Sequence, residues 1–164
     1  MNWMFGDNIN TDLITPGRYN ITTDPKALAR ICFIEYRPEF HQKVQSGDFV
    51  VAGQNFGCGS SRETAAVALK YSQLQAVLAK SFARIFFRNA INLGLLCIIA
   101  ETDSIEEPDE LELDIHSQVL YNKSKKQTVT IEIPGMMRRL YWEGGIINYL
   151  KKNGLLALAD LEKF

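Results

Sequence analysis

Three short apolar runs alternate with two helical segments in the middle of the chain. The runs are 49–52, 76–79 and 95–100. Each is short and bounded by glycine or polar residues, which is typical of a buried strand. The alanine-rich segment 62–71 and the segment 82–91 predict helices. Ser81 is expected to cap the second helix and Gly94 to end it. Because helices join these strands, we expect the strands to be parallel, with the intervening loop 54–61 at the carboxyl end of the first strand.

The flanking segments predict less regular structure. The first third is rich in turn-forming residues and predicts one helix, with Thr23 or Asp24 as the cap and Pro25 in its first turn. Beyond residue 105, apolar residues alternate with polar ones and predict half-exposed antiparallel strands. These apolar residues are Leu111, Leu113, Ile115, Val129, Ile131 and Ile133. A hairpin turn is expected at 122–126, and two short C-terminal helices are expected around Gly144-Gly145, followed by a frayed tail. The pattern predicts an α/β fold, a mixed sheet flanked by helices, as a single domain over residues 1–164.

Composition and charge exclude several classes of function. Lys and Arg total 18 against 19 Asp and Glu, and the net charge of -1 leaves no cationic field for nucleic acid. The longest apolar run with strand character, 95–100, is far below the ~20 residues that a membrane-spanning helix needs. The first residues lack the basic and apolar regions of a signal peptide. We therefore expect a cytoplasmic protein without nucleic-acid or membrane partners.

The cysteines and histidines do not predict a metal site. Cys32, Cys58 and Cys97 are odd in number and widely spaced, which fits reduced thiols. His41 and His116 are near none of them in sequence and are expected to face solvent. Any metal that the chemistry needs must therefore come from another chain.

The glycine-rich loop 53–63 is the strongest candidate for a functional site. Glycines let the backbone approach a ligand, and the helix that follows attracts anions at its N-terminus. The loop matches neither a phosphate-binding Walker loop, nor a dinucleotide fingerprint, nor a nucleophile elbow. Ser60 and Glu63 have the spacing of a helix capping box, which would make them purely structural. The guanidinium of Arg62 beside free backbone amides instead favours a carboxylate-binding site.

Three motifs lie in the same order as in a known family. They are Gly6-Asp7-Asn8-Ile9-Asn10-Thr11-Asp12, Gly57-Cys58-Gly59-Ser60-Ser61-Arg62-Glu63 and Ala79-Lys80-Ser81-Phe82-Ala83-Arg84-Ile85-Phe86-Phe87-Arg88-Asn89. The chain resembles, over nearly its whole length, the small subunits of isopropylmalate isomerases, a family that includes homoaconitase small subunits and the swivelling domain of aconitase. The resemblance implies a β/β/α swivelling-domain fold. It also implies a separate large subunit that carries a 4Fe-4S iron–sulfur cluster, with no cofactor in this chain.

The same resemblance implies roles for residues of the loop. Ser60 matches the family's catalytic serine, the general base, and Arg62 its substrate-binding arginine. Ser61 and Gly59 are expected to contact substrate beside them. A serine is a poor base, so its alkoxide needs stabilisation by the helix N-terminus, backbone amides and cationic side chains. Cys58 is expected to be a packing residue.

Substrate choice in this family is associated with the loop 18–23. Tyr19 and Ile21 are the candidate specificity residues, and homoaconitase-like relatives have an arginine at the position of Ile21. An arginine would pair with an additional carboxylate, whereas an isoleucine suits an isopropyl group. Asn20 stands where relatives commonly have leucine. Ile21 favours isopropylmalate, and citramalate and dimethylmalate remain open.

Three further groups of residues have a structural or a functional interpretation. Arg84 and Arg88 lie one helical turn apart and predict a stripe that faces solvent or another subunit. Phe82, Phe86 and Phe87 are expected in the core and at an interface. Asp7, Thr11 and Asp12 are typical turn residues, and the resemblance implies a place at the mouth of the active site.

The resemblance implies a hydro-lyase that interconverts 2- and 3-isopropylmalate in leucine biosynthesis and is active only with its large subunit. The substrate would be a dicarboxylate, and the isolated chain could form a homo-oligomer. The alternatives are a hydro-lyase for dimethylmalate, citramalate or homoaconitate, a small-anion-binding module without catalysis, and a scaffold that only closes over its partner.

Overall fold

The computed structural model describes residues 1–161 and contains two sheets. The strands are β1 (Asn2–Met4), β2 (Phe49–Ala52), β3 (Ala76–Ala79), β4 (Cys97–Ala100), β5 (Leu111–Asp114), β6 (Val119–Asn122), β7 (Gln127–Val129) and β8 (Ile131–Glu132). The larger sheet has the order β1-β2-β3-β4-β8. Its first four strands are parallel and β8 is antiparallel to β4, which confirms the predicted mixed sheet.

Helices flank this sheet, and further helices form the C-terminal part of the chain. They are α1 (Thr11–Ile14), α2 (Pro25–Arg30), α3 (Phe40–Lys43), α4 (Thr64–Tyr71), α5 (Arg84–Leu93), α6 (Gly135–Glu143), α7 (Ile146–Asn153) and α8 (Leu158–Leu161). Short 3₁₀ helices lie at Gly17–Tyr19, Thr102–Ser104 and Leu155–Ala157. Every residue of β2 and β3 is buried, as continuous apolar strands between helices should be. The predicted helix pair at Gly144-Gly145 corresponds to α6 and α7. Part of the predicted frayed tail, 162–164, lies outside the described residues.

The predicted β-α-β-α-β core is confirmed, with local differences. The third strand begins at Cys97 rather than Leu95, because the backbone N–H of Leu95 still bonds to Ala90 O at the end of α5. The prediction that Ser81 caps α5 is wrong. The N-cap position is Ala83, and Ser81 Oγ accepts a hydrogen bond from Asn55 N–H at 2.8 Å. The expected end of α5 at Gly94, in the left-handed conformation, is confirmed.

The first and last parts of the chain show what the hydrophobic pattern missed. Strand β1 was not predicted, since three residues are too few to show alternation; it pairs with β2 through Trp3 and Val50. The later alternating segments do not all join one sheet. Strands β5, β6 and β7 form a separate antiparallel sheet, with the predicted hairpin turn between β6 and β7, and only β8 joins the larger one. The cap of α2 by Asp24 is confirmed.

The cysteines and histidines differ in their surroundings. Cys32 and Cys97 are buried, and burial raises the pKa of both thiols far above the ordinary value. His116 is exposed as predicted and stacks on Trp142 with ring centroids 5.8 Å apart. The prediction that His41 faces solvent is wrong: His41 is half-buried, and its Nδ1 has no hydrogen-bond partner within residues 1–161. No helix in that same range has the length and apolarity needed to cross a membrane.

Candidate active site

The loop after β2 is held between the N-terminal segment and the start of α5. Cys58 forms an isolated parallel bridge with Asn10, and Phe56 forms one with Phe82. The backbone N–H of Gly57 donates to Ile9 O at 2.7 Å. The three sequence motifs, far apart along the chain, therefore meet at this loop.

Gly57 is required by close packing beneath the loop. Its φ is +79°, and a Cβ at this position would lie 2.1 Å from Cγ of Phe86. The Phe86 ring is itself buried and packs edge-on against Phe56, with centroids 5.3 Å apart. Glycine is thus the residue that lets the loop lie directly on the aromatic cluster formed by Phe56 and Phe86. Phe86 is in the core as predicted, whereas Phe82 and Phe87 are half-buried around it.

Ser60 is half-buried and lines a cavity of about 640 Å³. Its Oγ lies 2.9 Å from Thr11 Oγ1, and the backbone N–H of Arg62 donates to the same Oγ at a long 3.4 Å. The capping-box interpretation of Ser60 and Glu63 is wrong. Helix α4 begins at Thr64, its N-cap position is Glu63, and no side chain caps it. Ser60 lies before the cap, so helix capping does not account for it.

The cavity combines an apolar wall with two cationic side chains. Its remaining lining comes from Asn55, Gly57, Gly59, Phe82, Ala83, Arg84, Ile85 and Arg88. Arg84 and Arg88 are exposed, as predicted, and neither forms an ion pair with another residue of the described chain. Sequence reasoning did not foresee that they border the same cavity as Ser60. Only the helical spacing of the two arginines, combined with the packing of α5 against the loop, could have revealed it.

Arg62 lies outside the lining of this cavity. Its Nη1 atom is 3.2 Å from Oδ1 of Asp12, which also accepts the N–H of Gly17 at 3.0 Å. Its side chain is 39% exposed, so the guanidinium retains free donors. Ser61, between Ser60 and Arg62, is exposed.

The candidate specificity residues form a neighbouring surface. Ile21 is 89% exposed and lines a shallow depression of about 570 Å³, together with Asn20, Thr22, Thr23 and Thr64. Asn20 Nδ2 donates to Thr64 Oγ1 at 3.0 Å, which ties this loop to the first turn of α4. Tyr19 is also exposed, and the guanidinium of Arg18 lies 5.1 Å from its ring centroid. The structure therefore separates Ile21 and Tyr19 from the cavity of Ser60 and Gly59.

The described residues do not fit an iron–sulfur cluster. Cys58 is in the loop and half-buried, but Cys32 and Cys97 are fully buried elsewhere in the core. Across residues 1–161, no three side chains of His, Cys, Asp or Glu come together as ligands would. Cluster ligation requires three or four thiolates at one place.

The fold and the loop define a class of protein. The family model of the aconitase C-terminal domain matches residues 6–103, and the chain belongs to that family. The swivelling-domain fold expected from the resemblance is thereby confirmed.

Similar proteins include members with two different substrates in their names. The chain is 50% identical over 153 residues to the methanogen homoaconitase small subunit of Methanocaldococcus jannaschii, covering 93% of this chain and 90% of that protein. It is 50% identical over 151 residues to 3-isopropylmalate dehydratase small subunit 1 of Archaeoglobus fulgidus, covering 91% and 94%. A crystal structure of 3-isopropylmalate dehydratase (LeuD) from Methanocaldococcus jannaschii matches with a TM-score of 0.89 and 48% identity, over 97% of this chain and 96% of that one.

Proposed function

We propose that this chain is the small subunit of a 3-isopropylmalate dehydratase, a hydro-lyase of the aconitase superfamily. The observation that carries the proposal is the position of Ser60 on the wall of a cavity that is bordered by Arg84 and Arg88 and backed by the aromatic cluster. The names of the relatives at about half identity support it. The setting would be leucine biosynthesis in the cytoplasm.

Ser60 acts as the base in this proposal. Its deprotonated Oγ takes the proton from the carbon next to a substrate carboxylate. The electron pair of that C–H bond becomes the second bond of the alkene as the hydroxyl leaves the adjacent carbon. The proton held on Ser60 and the departed hydroxide together make up one water, and adding them back to the alkene in the opposite orientation moves the hydroxyl to the neighbouring carbon, so that atoms and charge balance.

The surroundings of Ser60 favour this chemistry. The backbone N–H of Arg62 donates to its Oγ, and such a donor favours the deprotonated form of the oxygen, which must exist before it can take a proton. The Arg62 guanidinium binds a substrate carboxylate, for which its planar donors are suited. Gly59, with a φ of +96°, and Ser61 bring the backbone close to the bound substrate.

The iron–sulfur cluster belongs to a large subunit in this proposal. The cysteines of this chain cannot gather around a cluster without unfolding the core, because Cys32 and Cys97 are fully buried. The small subunit supplies the base and a carboxylate-binding group, and we expect the isolated chain to be inactive.

The proposed substrate is isopropylmalate rather than a tricarboxylate. Ile21 presents an exposed apolar side chain where an arginine would be needed for a further carboxylate. The similarity to a homoaconitase small subunit makes a homoaconitate-type substrate the second candidate.

The decisive experiment compares Ser60→Ala with wild type after anaerobic assembly with a cluster-bearing large subunit. We expect kcat to fall by about 10²–10⁴-fold, which is the range of general base catalysis, and the affinity for the large subunit to be unchanged. Ser46→Ala, which alters an exposed serine of a distant turn, is the matched control. Activity of Ser60→Ala within a few-fold of wild type would contradict the proposal, and so would full turnover by the small subunit alone.

A further inference from the structure

A second hydroxyl group lies against the proposed base. Thr11, the first residue of α1, is only 1% exposed. Its Oγ1 is 2.9 Å from Ser60 Oγ and 3.2 Å from the backbone nitrogen of Ser60. Thr11 therefore contacts both the side chain and the main chain of Ser60, from a part of the sequence 49 residues away.

The backbone of Thr11 is held on both sides. Its N–H donates to Cys58 O at 2.8 Å, so the loop two residues before Ser60 is tied to it. Its carbonyl accepts hydrogen bonds from the N–H and the hydroxyl of Thr15. Asn10 caps α1 by accepting from Leu13 N–H at 2.8 Å. The Thr11 hydroxyl is thus held in place relative to the loop by backbone contacts on both segments.

The donors and acceptors around Thr11 indicate which way its own proton points. Thr11 Oγ1 accepts the Ser60 N–H, and it has one proton to donate. Among the residues that the structure describes, Ser60 Oγ is the acceptor within hydrogen-bond distance of it. A buried hydroxyl proton without an acceptor is unfavourable, so the proton is donated to Ser60 Oγ. The proton of Ser60 is then free to point into the cavity.

We propose that Thr11 is a positioning residue for Ser60: its hydroxyl donates to Ser60 Oγ, which stabilises the deprotonated oxygen that takes the substrate's proton and then keeps that proton directed towards the substrate carbon to which it returns. Together with the N–H of Arg62, Thr11 gives this oxygen two donors. The inference rests on the proposed function, in which Ser60 is the base.

Charged groups surround this pair from two directions. Arg62 and its partner Asp12 lie on the side of α1, and Arg84 and Arg88 lie across the cavity on α5. Replacing Thr11 leaves all four of these charged side chains in the chain. A difference between the two enzymes therefore reports on the Thr11 hydroxyl.

The test replaces Thr11 in the assembled enzyme with valine, which preserves the shape but has no hydroxyl. We expect Thr11→Val to lower kcat about 10–100-fold with KM within about threefold, since the donor acts on the reacting oxygen and not on binding. The limb of the kcat–pH profile that reports the base should move to higher pH by about one unit. Thr11→Ser, which retains the hydroxyl, should restore kcat to within a few-fold and return the profile to its wild-type position. Thr128→Val, on the exposed face of β7, is the matched control.

A second set of variants separates positioning from a merely structural role. If Thr11 acts through Ser60, adding Thr11→Val to Ser60→Ala lowers the residual activity no further. An equal loss in both backgrounds, or an unshifted pH profile, overturns the proposal. Should Thr11→Val fail to assemble, Thr11→Cys, with a weak thiol donor, carries the same test: kcat must fall at least about fivefold and the profile must shift. If Ser60→Ala is inactive while Thr11→Val matches wild type, only this inference fails. If Ser60→Ala is active, the proposed function itself fails.

Discussion

Arg62 and Asp12 form an ion pair that joins the loop of Ser60 to α1, with Nη1 and Oδ1 3.2 Å apart. The same Asp12 oxygen accepts the N–H of Gly17 at 3.0 Å. One carboxylate thereby links α1, the 3₁₀ helix that carries Tyr19, and the loop of Ser60. Because Asp12 is 62% exposed, this contact orients the guanidinium more than it stabilises the fold.

Asp12→Asn tests that orientation. The amide oxygen of asparagine can still accept from Gly17, but the charge that holds Arg62 is lost. We expect KM to rise about tenfold with a smaller effect on kcat, and the free energy of unfolding to change by less than about 1 kcal/mol. Steady-state kinetics and urea denaturation measure both quantities. Glu110→Gln removes an exposed ion pair with Lys123 and serves as the control; an unchanged KM in Asp12→Asn would argue against the role of the pair.

Ile21→Arg should alter substrate choice. The side chain is exposed, so the charge costs little stability, and it supplies a partner for an additional carboxylate. We expect activity on homoaconitate-type substrates to rise relative to isopropylmalate by about 10-fold or more, measured as a ratio of kcat/KM values. Leu156→Arg adds the same charge at a distant exposed site. If wild type turned over isopropylmalate and citrate equally well, this loop would not determine specificity.

Gly57→Ala should destabilise the fold. The added methyl group would meet the buried ring of Phe86, and the positive φ is unfavourable for alanine. We expect the free energy of unfolding to fall by about 2 kcal/mol or more, measured by urea denaturation of the isolated subunit. Gly6→Ala is the control, because nothing lies within 4 Å of a Cβ at that position. Equal stability of the two variants would show that the loop can move away from the aromatic cluster.

Asp109 should contribute a pH-dependent part of the stability. Burial alone would raise the pKa of this carboxyl, but hydrogen bonds from the Glu106 N–H and the Asn122 amide, with nearby Lys125, hold the pKa below its ordinary value. A lowered folded-state pKa stabilises the fold above the unfolded value of about 4, and the contribution disappears as the pH falls through the folded value.

Asp109→Asn should therefore lower the free energy of unfolding by roughly 1–2 kcal/mol at pH 7, and the difference from wild type should shrink towards pH 3. Urea denaturation at several pH values measures it. Glu112→Gln, which removes an exposed carboxylate of the following strand β5, is the control and should have little effect at pH 7. A difference for Asp109→Asn that stays constant or widens at low pH would contradict this account.

Local patterns were sufficient for the parts of the fold that bury continuous apolar segments. Strands β2 and β3 were predicted with the bounds that the structure gives, because each is apolar throughout and flanked by polar residues or glycine. The glycine-ended helix α5 was also predicted, except for its first turn. Strand β1 was not predicted, because its three residues are too few to show a pattern. Antiparallel strands were predicted beyond residue 105, but not that β5, β6 and β7 form a sheet of their own, because alternation within a strand does not show which sheet the strand joins.

The sequence by itself determined the family: glycines, a serine and an arginine stand in a loop within the segment that matches the aconitase C-terminal domain. Only the tertiary structure decided that Thr11 lies against Ser60, that Arg84 and Arg88 border the same cavity, and that Arg62 is paired with Asp12. Hydrogen bonds and ion pairs act over a few ångströms of space irrespective of separation along the chain. Contacts between residues tens of positions apart therefore depend on how the strands and helices pack, which the spacing of residues does not encode.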